Sequence, residues 1–169
     1  MSEIVVGFDA SPTSHRVLAW AAQQARITAI PLRAVHAIAQ DPTILASIAI
    51  RSIPGPVESV EQLQHLYRYA VSTVWETTQP QADWRLEFYT ADPGPTLVAQ
   101  SIGADMLVIG TRERVASGHV QAGSVSRYCL SHATCPVVAV SPTSVSIPKA
   151  KSNWSAGLLA RQLVAPGRR

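Results

Sequence analysis

Short runs of apolar residues alternate along this chain with longer stretches in which apolar residues recur every three or four positions. Residues 4–8 form the first run, which ends in the turn-forming residues 9–12. From residue 13 to 29 the apolar positions follow helical spacing, with Ser11 as a predicted N-cap and Pro12 at the first helical position. The pattern therefore predicts a buried strand that leads into an amphipathic helix.

The same alternation continues to residue 140. Residues 57–78 carry apolar side chains along one helical face, and Glu58 and Glu61 in the first turn complement the helix dipole. Residues 84–89 alternate between apolar and polar side chains, which is typical of a half-exposed strand near a sheet edge. The other predicted elements are strands at 32–38, 106–109 and 136–140, helices at 93–102 and 124–132, a long connection at 39–55 and a short helix near 158–164.

Strands that are mostly apolar and alternate with helices predict an α/β fold, in which a parallel sheet is covered on both faces and joined by right-handed crossovers. Five such strands favour a doubly wound sheet. Ligands of these sheets bind beyond the carboxyl ends of the strands, where the strand order reverses. The segments 7–11, 36–40 and 110–126 are therefore expected to contain the binding site.

Composition and charge narrow the range of functions. A chain of 169 residues, 47% of them hydrophobic, suits a single domain. It contains no apolar run long enough to span a membrane and no secretory leader, so a cytoplasmic location is expected. The net charge of +3 comes from the tail, because five of the 14 basic residues and none of the 11 acidic residues follow residue 146. Residues 1–146 therefore carry a net charge of −2, which argues against binding to a nucleic-acid backbone.

Several catalytic motifs are missing from the sequence. A P-loop needs a lysine after its second glycine, and both lysines lie in the tail. The first strand-to-helix turn has one glycine where a dinucleotide fingerprint has three. No nucleophile elbow, zinc-protease motif or activated base is found, so the sequence gives no support for an enzyme of these classes. Cys129, His132 and Cys135 have metal-ligand spacing, but a fourth ligand is missing and packed thiols are expected.

Residues 110–126 combine two features that favour an anion. Gly110 allows a turn at the end of a strand, and Gly123 with Ser124 opens a helix whose first amides have no partner within the helix. Ser124, Ser126 and Arg112 supply further donors for phosphate oxygens. The same residues also fit a purely structural interpretation, in which Ser124 is an N-cap and Gly110 a turn residue.

The chain resembles the universal stress protein family over residues 3–141. The resemblance lies in IVVGFDASP, in a strand ending in VHA, in ADMLVIGTR and in GSVSRYCLSHATCPVVAV, which follow one another in the family's order. Gly110, Gly123 and Ser124 occupy the first and last positions of the family's motif of Gly, two residues, Gly, nine residues and Gly-Ser or Gly-Thr. The resemblance implies a Rossmann-like sheet of order 3-2-1-4-5, binding of ATP, ADP or AMP as a regulatory signal in the stress response, and a homodimer formed through the edge strand 136–140.

The resemblance also implies a set of site residues. Asp9 corresponds to the acidic residue near the ribose and the nucleotide-bound Mg²⁺, although capping of the first helix explains it equally well. Ala37 falls where the family's backbone holds the adenine, and the preceding His36 is expected to be a packed core residue. The residues that complete the expected site are Gly7 and Ser11 in the first loop, and Gly110, Thr111, Arg112, Gly123, Ser124, Val125 and Ser126 in the phosphate-binding segment.

Glu113 stands where the family's motif has its second glycine. A glutamate hinders close approach of the backbone to a ligand, and it places a negative charge near the phosphates. The alternative function is therefore a dimeric interaction module that keeps the fold without binding a nucleotide. Residues 1–142 are expected to form the domain, and residues 143–169 a basic, partly disordered tail.

Overall fold

The computed structural model describes residues 2–11, 14–38, 60–111 and 123–141. Five strands alternate with four helices along this part of the chain. In chain order they are β1 (Ile4–Gly7), α1 (Ser14–Thr28), β2 (Leu32–Ile38), α2 (Val60–Glu76), β3 (Arg85–Thr90), α3 (Pro93–Gln100), β4 (Met106–Gly110), α4 (Ser124–His132) and β5 (Val137–Val140).

The five strands form one parallel sheet in the order β3-β2-β1-β4-β5. Ile4 at the start of β1 pairs with Leu32 of β2 on one side and with Met106 of β4 on the other. The chain builds the sheet outward from β1 in one direction and then from β4 in the other, so the strand order reverses between these two strands. The predicted doubly wound sheet and its order are confirmed.

Helices cover both faces of the sheet, as the apolar strands predicted. Ile4 and Val6 of β1 pack in one cluster with residues of α1 and α2, whereas Val5 packs in the other with Leu97 of α3 and Cys129 of α4. Successive side chains of a strand point to opposite faces, so β1 contributes to both clusters. All three of these β1 residues are fully buried, which places β1 at the centre of the molecule.

Two predicted elements, the strand at 32–38 and the helix at 124–132, have the observed bounds, and most others differ by one or two residues. The helix predicted to reach residue 102 ends at Gln100, because the hydroxyl of Ser101 bonds back to Val98 and Gly103 adopts a left-handed φ of 78° that turns the chain towards β4. Predictions for residues 12–13, 39–59 and 142–169 lie outside the described residues. Within the described ranges, no helix is long and apolar enough to cross a membrane.

Candidate functional site

The loop after β1 is closed by hydrogen bonds around Asp9. Its Oδ1 accepts a hydrogen bond from the backbone amide of Ser11 at 2.9 Å and another from the hydroxyl of Ser14 at 2.5 Å. The backbone amide of Asp9 donates to the oxygen of the same Ser14 hydroxyl at 3.0 Å. Asp9 thus fastens the loop to the start of α1, and its carboxylate remains at the carboxyl end of the central strand.

Ser14, which the sequence pattern does not single out, makes two hydrogen bonds to Asp9. The periodicity placed it inside a helix predicted to begin at residue 13, where a serine carries no special signal. In the structure it is the first residue of α1 and is buried, with its hydroxyl facing Asp9. A serine three residues after Ser11, at the predicted helix start, is the only hint that the sequence contains.

The two glycines at the strand ends are explained by close packing of side chains. A Cβ atom on Gly110 would lie 2.9 Å from Cγ2 of Val17 in α1, and one on Gly7 would lie 2.6 Å from Cδ1 of Leu97 in α3. Neither glycine adopts a left-handed φ. The expectation that Gly110 is needed for a backbone turn is therefore corrected: it is needed because α1 packs directly against the end of β4.

Ser126 connects α4 to the end of β4. Its buried hydroxyl donates a hydrogen bond of 2.7 Å to the carbonyl oxygen of Gly110. Its one hydroxyl proton is therefore used within the protein, contrary to its expected use towards phosphate. The backbone amide of Thr111 also donates to the carbonyl of Val140 at 2.9 Å, with the threonine hydroxyl 3.3 Å from the same oxygen. Thr111 thus fastens β4 to β5.

The first turn of α4 lies beside these strand ends. Gly123 is the N-cap, with φ −62° and ψ 167° and no side-chain cap, so Ser124 is the first helical residue and not the cap. The amides of Ser124, Val125 and Ser126 have no acceptor four residues earlier within the helix, and the side chain of Ser124 is exposed. Backbone amides of this kind, at the positive end of a helix dipole, suit an anion.

Two further residues singled out in the sequence, His36 and Ala37, lie near the carboxyl end of β2. Ala37 pairs with Tyr89 of β3 and is half-buried near the carboxyl end of β2. His36 is only 2% exposed and packs against Phe8, Tyr67 and Phe88, so the predicted core histidine is confirmed. Arg112 and Glu113 lie outside the described residues.

The cysteines form no metal centre in the described part of the chain. Cys129 is fully buried, and burial raises the pKa of its thiol to about 11. His132 stacks on Tyr128 instead, with the ring centres 4.1 Å apart. No group of three or more His, Cys, Asp or Glu side chains that could hold a metal occurs among the described residues.

Fold and site together define a doubly wound α/β protein whose polar groups gather at the topological switch point. The sequence profile of the universal stress protein family matches residues 1–141. A universal stress protein of Mycobacterium tuberculosis (strain ATCC 25618 / H37Rv) is 32% identical over 143 residues, which cover 81% of this chain and 46% of the relative. The chain belongs to the universal stress protein family, and it spans about half of the length of the curated relatives it matches.

Solved structures of the family share the fold. A universal stress protein from Archaeoglobus fulgidus superposes with a TM-score of 0.58 at 25% identity, over 82% of this chain and 98% of that one. A structure of the universal stress protein from the same organism in complex with dAMP has a TM-score of 0.53 at 23% identity, over 82% of this chain and 97% of that one. Both agree with the order of the five-stranded sheet described above.

Proposed function

We propose that this protein binds an adenine nucleotide at the carboxyl ends of β1 and β4 and acts as a regulatory protein in the stress response. The observation that carries the proposal is that α1 and α4 both meet the end of β4 at Gly110, while α1 also bonds to the loop of Asp9. Val17 of α1 packs on this glycine and Ser126 of α4 bonds to its carbonyl, while Ser14 at the start of α1 bonds to Asp9. These contacts support a single site made of the loop of Asp9, the end of β4 and the start of α4.

In this proposal the backbone amides of Ser124, Val125 and Ser126, together with the exposed hydroxyl of Ser124, bind phosphate oxygens. Asp9 lies near the ribose, and its carboxylate suits Mg²⁺ bound to the nucleotide, since carboxylate oxygens are ligands that this ion prefers. The backbone at Ala37 holds the adenine. Gly7, Ser11, Gly110, Thr111 and Gly123 shape the site, and Arg112 supplies charge-assisted donors for the phosphates.

Binding is proposed without turnover. Among the described residues around the strand ends, the carboxylate of Asp9 already accepts two hydrogen bonds and the imidazole of His36 is buried, so neither is placed as a general base for an attacking water. Any ATP hydrolysis is expected to be slow. The dAMP complex of the Archaeoglobus protein supports a nucleoside monophosphate as a ligand that this fold can accept.

A nucleotide-free, dimeric interaction module is the second candidate function, and Glu113 in the phosphate-binding motif favours it. Calorimetric titration with AMP, ADP and ATP, each with and without Mg²⁺, separates the two functions, together with mass spectrometry of the gently purified protein. Saturable binding or a retained adenine nucleotide supports the proposal. The absence of binding by all three nucleotides, in protein shown by denaturation to be folded, favours the module.

A further inference from the structure

His36 has one ring nitrogen bonded to the loop of the candidate site and one without a hydrogen-bond partner in the described part of the chain. Nδ1 lies 2.8 Å from the carbonyl oxygen of Phe8, while Nε2 is buried and has no hydrogen-bond partner among the described residues. A carbonyl oxygen only accepts, so Nδ1 must carry the proton that is donated. The structure therefore defines the tautomer of this imidazole, with the proton on Nδ1 and a bare Nε2.

Two hydrogen bonds join the backbone of Phe8 to β2. The pairing of β1 with β2 ends at Gly7 and Val35. One residue later, the amide of Phe8 donates to the carbonyl of Val35 over a long 3.3 Å, whereas the imidazole reaches the Phe8 carbonyl at 2.8 Å. The His36 contact is the shorter of the two, so the ring helps to hold the backbone at the point where the chain leaves the sheet.

The Phe8 carbonyl and the Asp9 amide belong to the same peptide unit, and this unit is held at both ends. His36 donates to its oxygen at 2.8 Å, and its N–H donates to the hydroxyl of Ser14 at 3.0 Å. A peptide unit is planar, so two bonds on opposite sides determine the orientation of the plane. The Cα atom of Asp9 belongs to the same planar unit, so these two bonds help to fix where the loop of Asp9 begins.

We infer that His36 is a positioning residue for the nucleotide site, acting through the Phe8–Asp9 peptide unit without contacting the ligand itself. This inference rests on the proposed function. His36 lies between Phe8, Tyr67 and Phe88, and these rings hold the imidazole in the orientation that the bond to Phe8 requires. Without the bond, the Phe8–Asp9 peptide unit keeps only the hydrogen bond from its N–H to Ser14, so the start of the Asp9 loop is held less firmly.

Three variants test the inference by titration with AMP. His36→Leu removes the donor, and His36→Asn restores it, because the asparagine amide nitrogen takes the place of Nδ1. Val71→Ala is the matched control, since Val71 is fully buried in the hydrophobic cluster that also contains Phe8, and its truncation weakens the fold without removing a hydrogen bond of the loop. Affinity should fall about five- to tenfold in His36→Leu, as expected for the loss of one hydrogen bond, and stay within about twofold in the other two variants.

Equal weakening by His36→Leu and Val71→Ala would overturn the inference, as would a His36→Asn variant that binds as weakly as His36→Leu. Nitrogen NMR of the imidazole in the unmodified protein is an independent measurement that needs no variant. A proton on Nδ1 supports the inference, and a proton on Nε2 alone refutes it.

If the unmodified protein binds neither AMP nor ATP, the proposed function fails, and amide hydrogen exchange then decides the inference separately. The amide of Ser11 bonds to the Asp9 carboxylate, so its exchange reports on the loop. Faster exchange at Ser11 in His36→Leu than in Val71→Ala and His36→Asn supports the positioning role. Equal exchange in all three variants contradicts it.

Discussion

The hydroxyl of Ser126 donates a hydrogen bond of 2.7 Å to the carbonyl oxygen of Gly110, which joins the first turn of α4 to the last residue of β4. Ser126 is 3% exposed, so the bond is shielded from water and water cannot easily replace it. This contact helps to hold the first turn of α4, whose amides have no partner within the helix, against the end of β4. The position of the proposed phosphate site therefore depends on a side chain that need not touch the phosphate.

Replacing Ser126 with alanine should destabilise the fold and weaken nucleotide binding together. The carbonyl of Gly110 loses its donor, which costs about 1–3 kcal/mol of unfolding free energy, and the start of α4 is less firmly placed. Urea denaturation and titration with AMP measure the two effects. Ser124→Ala is the control, because Ser124 is exposed on the same turn and its replacement should leave stability nearly unchanged. Similar stability losses in both variants would contradict the proposed link.

Replacing Gly110 with alanine should destabilise the protein through a clash with α1. The new Cβ would lie 2.9 Å from Cγ2 of Val17, which is closer than real Cβ atoms come to other atoms. Overpacking of this kind costs about 1–3 kcal/mol. Combining it with Val17→Ala removes the clashing methyl groups, so the double variant should lose less stability than the two single variants together. Additive losses in thermal or urea unfolding would show that the clash is not the cause.

Acidification should destabilise the fold through His36. Burial lowers the pKa of this imidazole below its ordinary value, and the charge of Arg68 in α2 lowers it further. The hydrogen bond to the Phe8 carbonyl and the charge of the Asp9 carboxylate oppose this shift. In the unfolded chain the His36 imidazole takes up a proton below about pH 6.5, whereas in the folded chain it takes one up only at lower pH. The contribution of His36 to the unfolding free energy therefore falls as the pH drops below about 6.5, and it does not change above that pH.

The measurement is the difference in unfolding free energy between the unmodified protein and His36→Asn, taken from pH 8 to pH 5. The variant has no imidazole at this position, so the difference should change below about pH 6.5 in the direction that favours the variant. A difference that is constant over the whole range would show that His36 does not titrate differently in the two states.

Glu113 should limit the binding of ATP more than that of AMP. A carboxylate about 4 Å from a phosphate charge costs about 1 kcal/mol in a water-like medium and about 4 kcal/mol at an effective dielectric near 20, which is about one to three decades of affinity. Glu113→Gly should recover this affinity, and Glu113→Gln should recover part of it, because it removes the charge and keeps the bulk. Equal, tight binding of ATP by all three proteins in calorimetry would show that Glu113 is harmless.

Dimerisation through β5 is a further proposal that can be tested directly. This strand lies at the edge of the sheet, where unpaired backbone groups invite a strand from a second copy. Val138 packs against the core, so the exposed Ala139 is the residue to change. Ala139→Lys should shift the protein to the monomer in sedimentation, whereas Gln23→Lys, on the exposed face of α1, should not. A dimer that survives Ala139→Lys would place the interface elsewhere.

The order and type of the elements could be determined from the sequence by itself. The spacing of apolar residues is a local property that distinguishes strands from helices, and buried parallel strands joined by helices allow few topologies. The run at 32–38 became β2 with the same bounds, and the half-exposed alternation at 84–89 became the edge strand β3, shifted by one residue. The sheet order was implied by the resemblance to the family, which could be recognised because its motifs, in the first loop and around Gly110 and Ser124, are short segments of sequence.

The contacts that build the site were decided by the tertiary structure alone. Ser126 bonds to Gly110, Val17 packs on the same glycine, and His36 donates to Phe8. Each pair joins segments that are distant along the chain, and no periodicity or spacing records which side chains meet when a sheet and its helices close on one another. Glycine at 110 looks like a turn residue when the sequence is considered by itself, because the packing of α1 against β4 that requires it exists only in the folded protein.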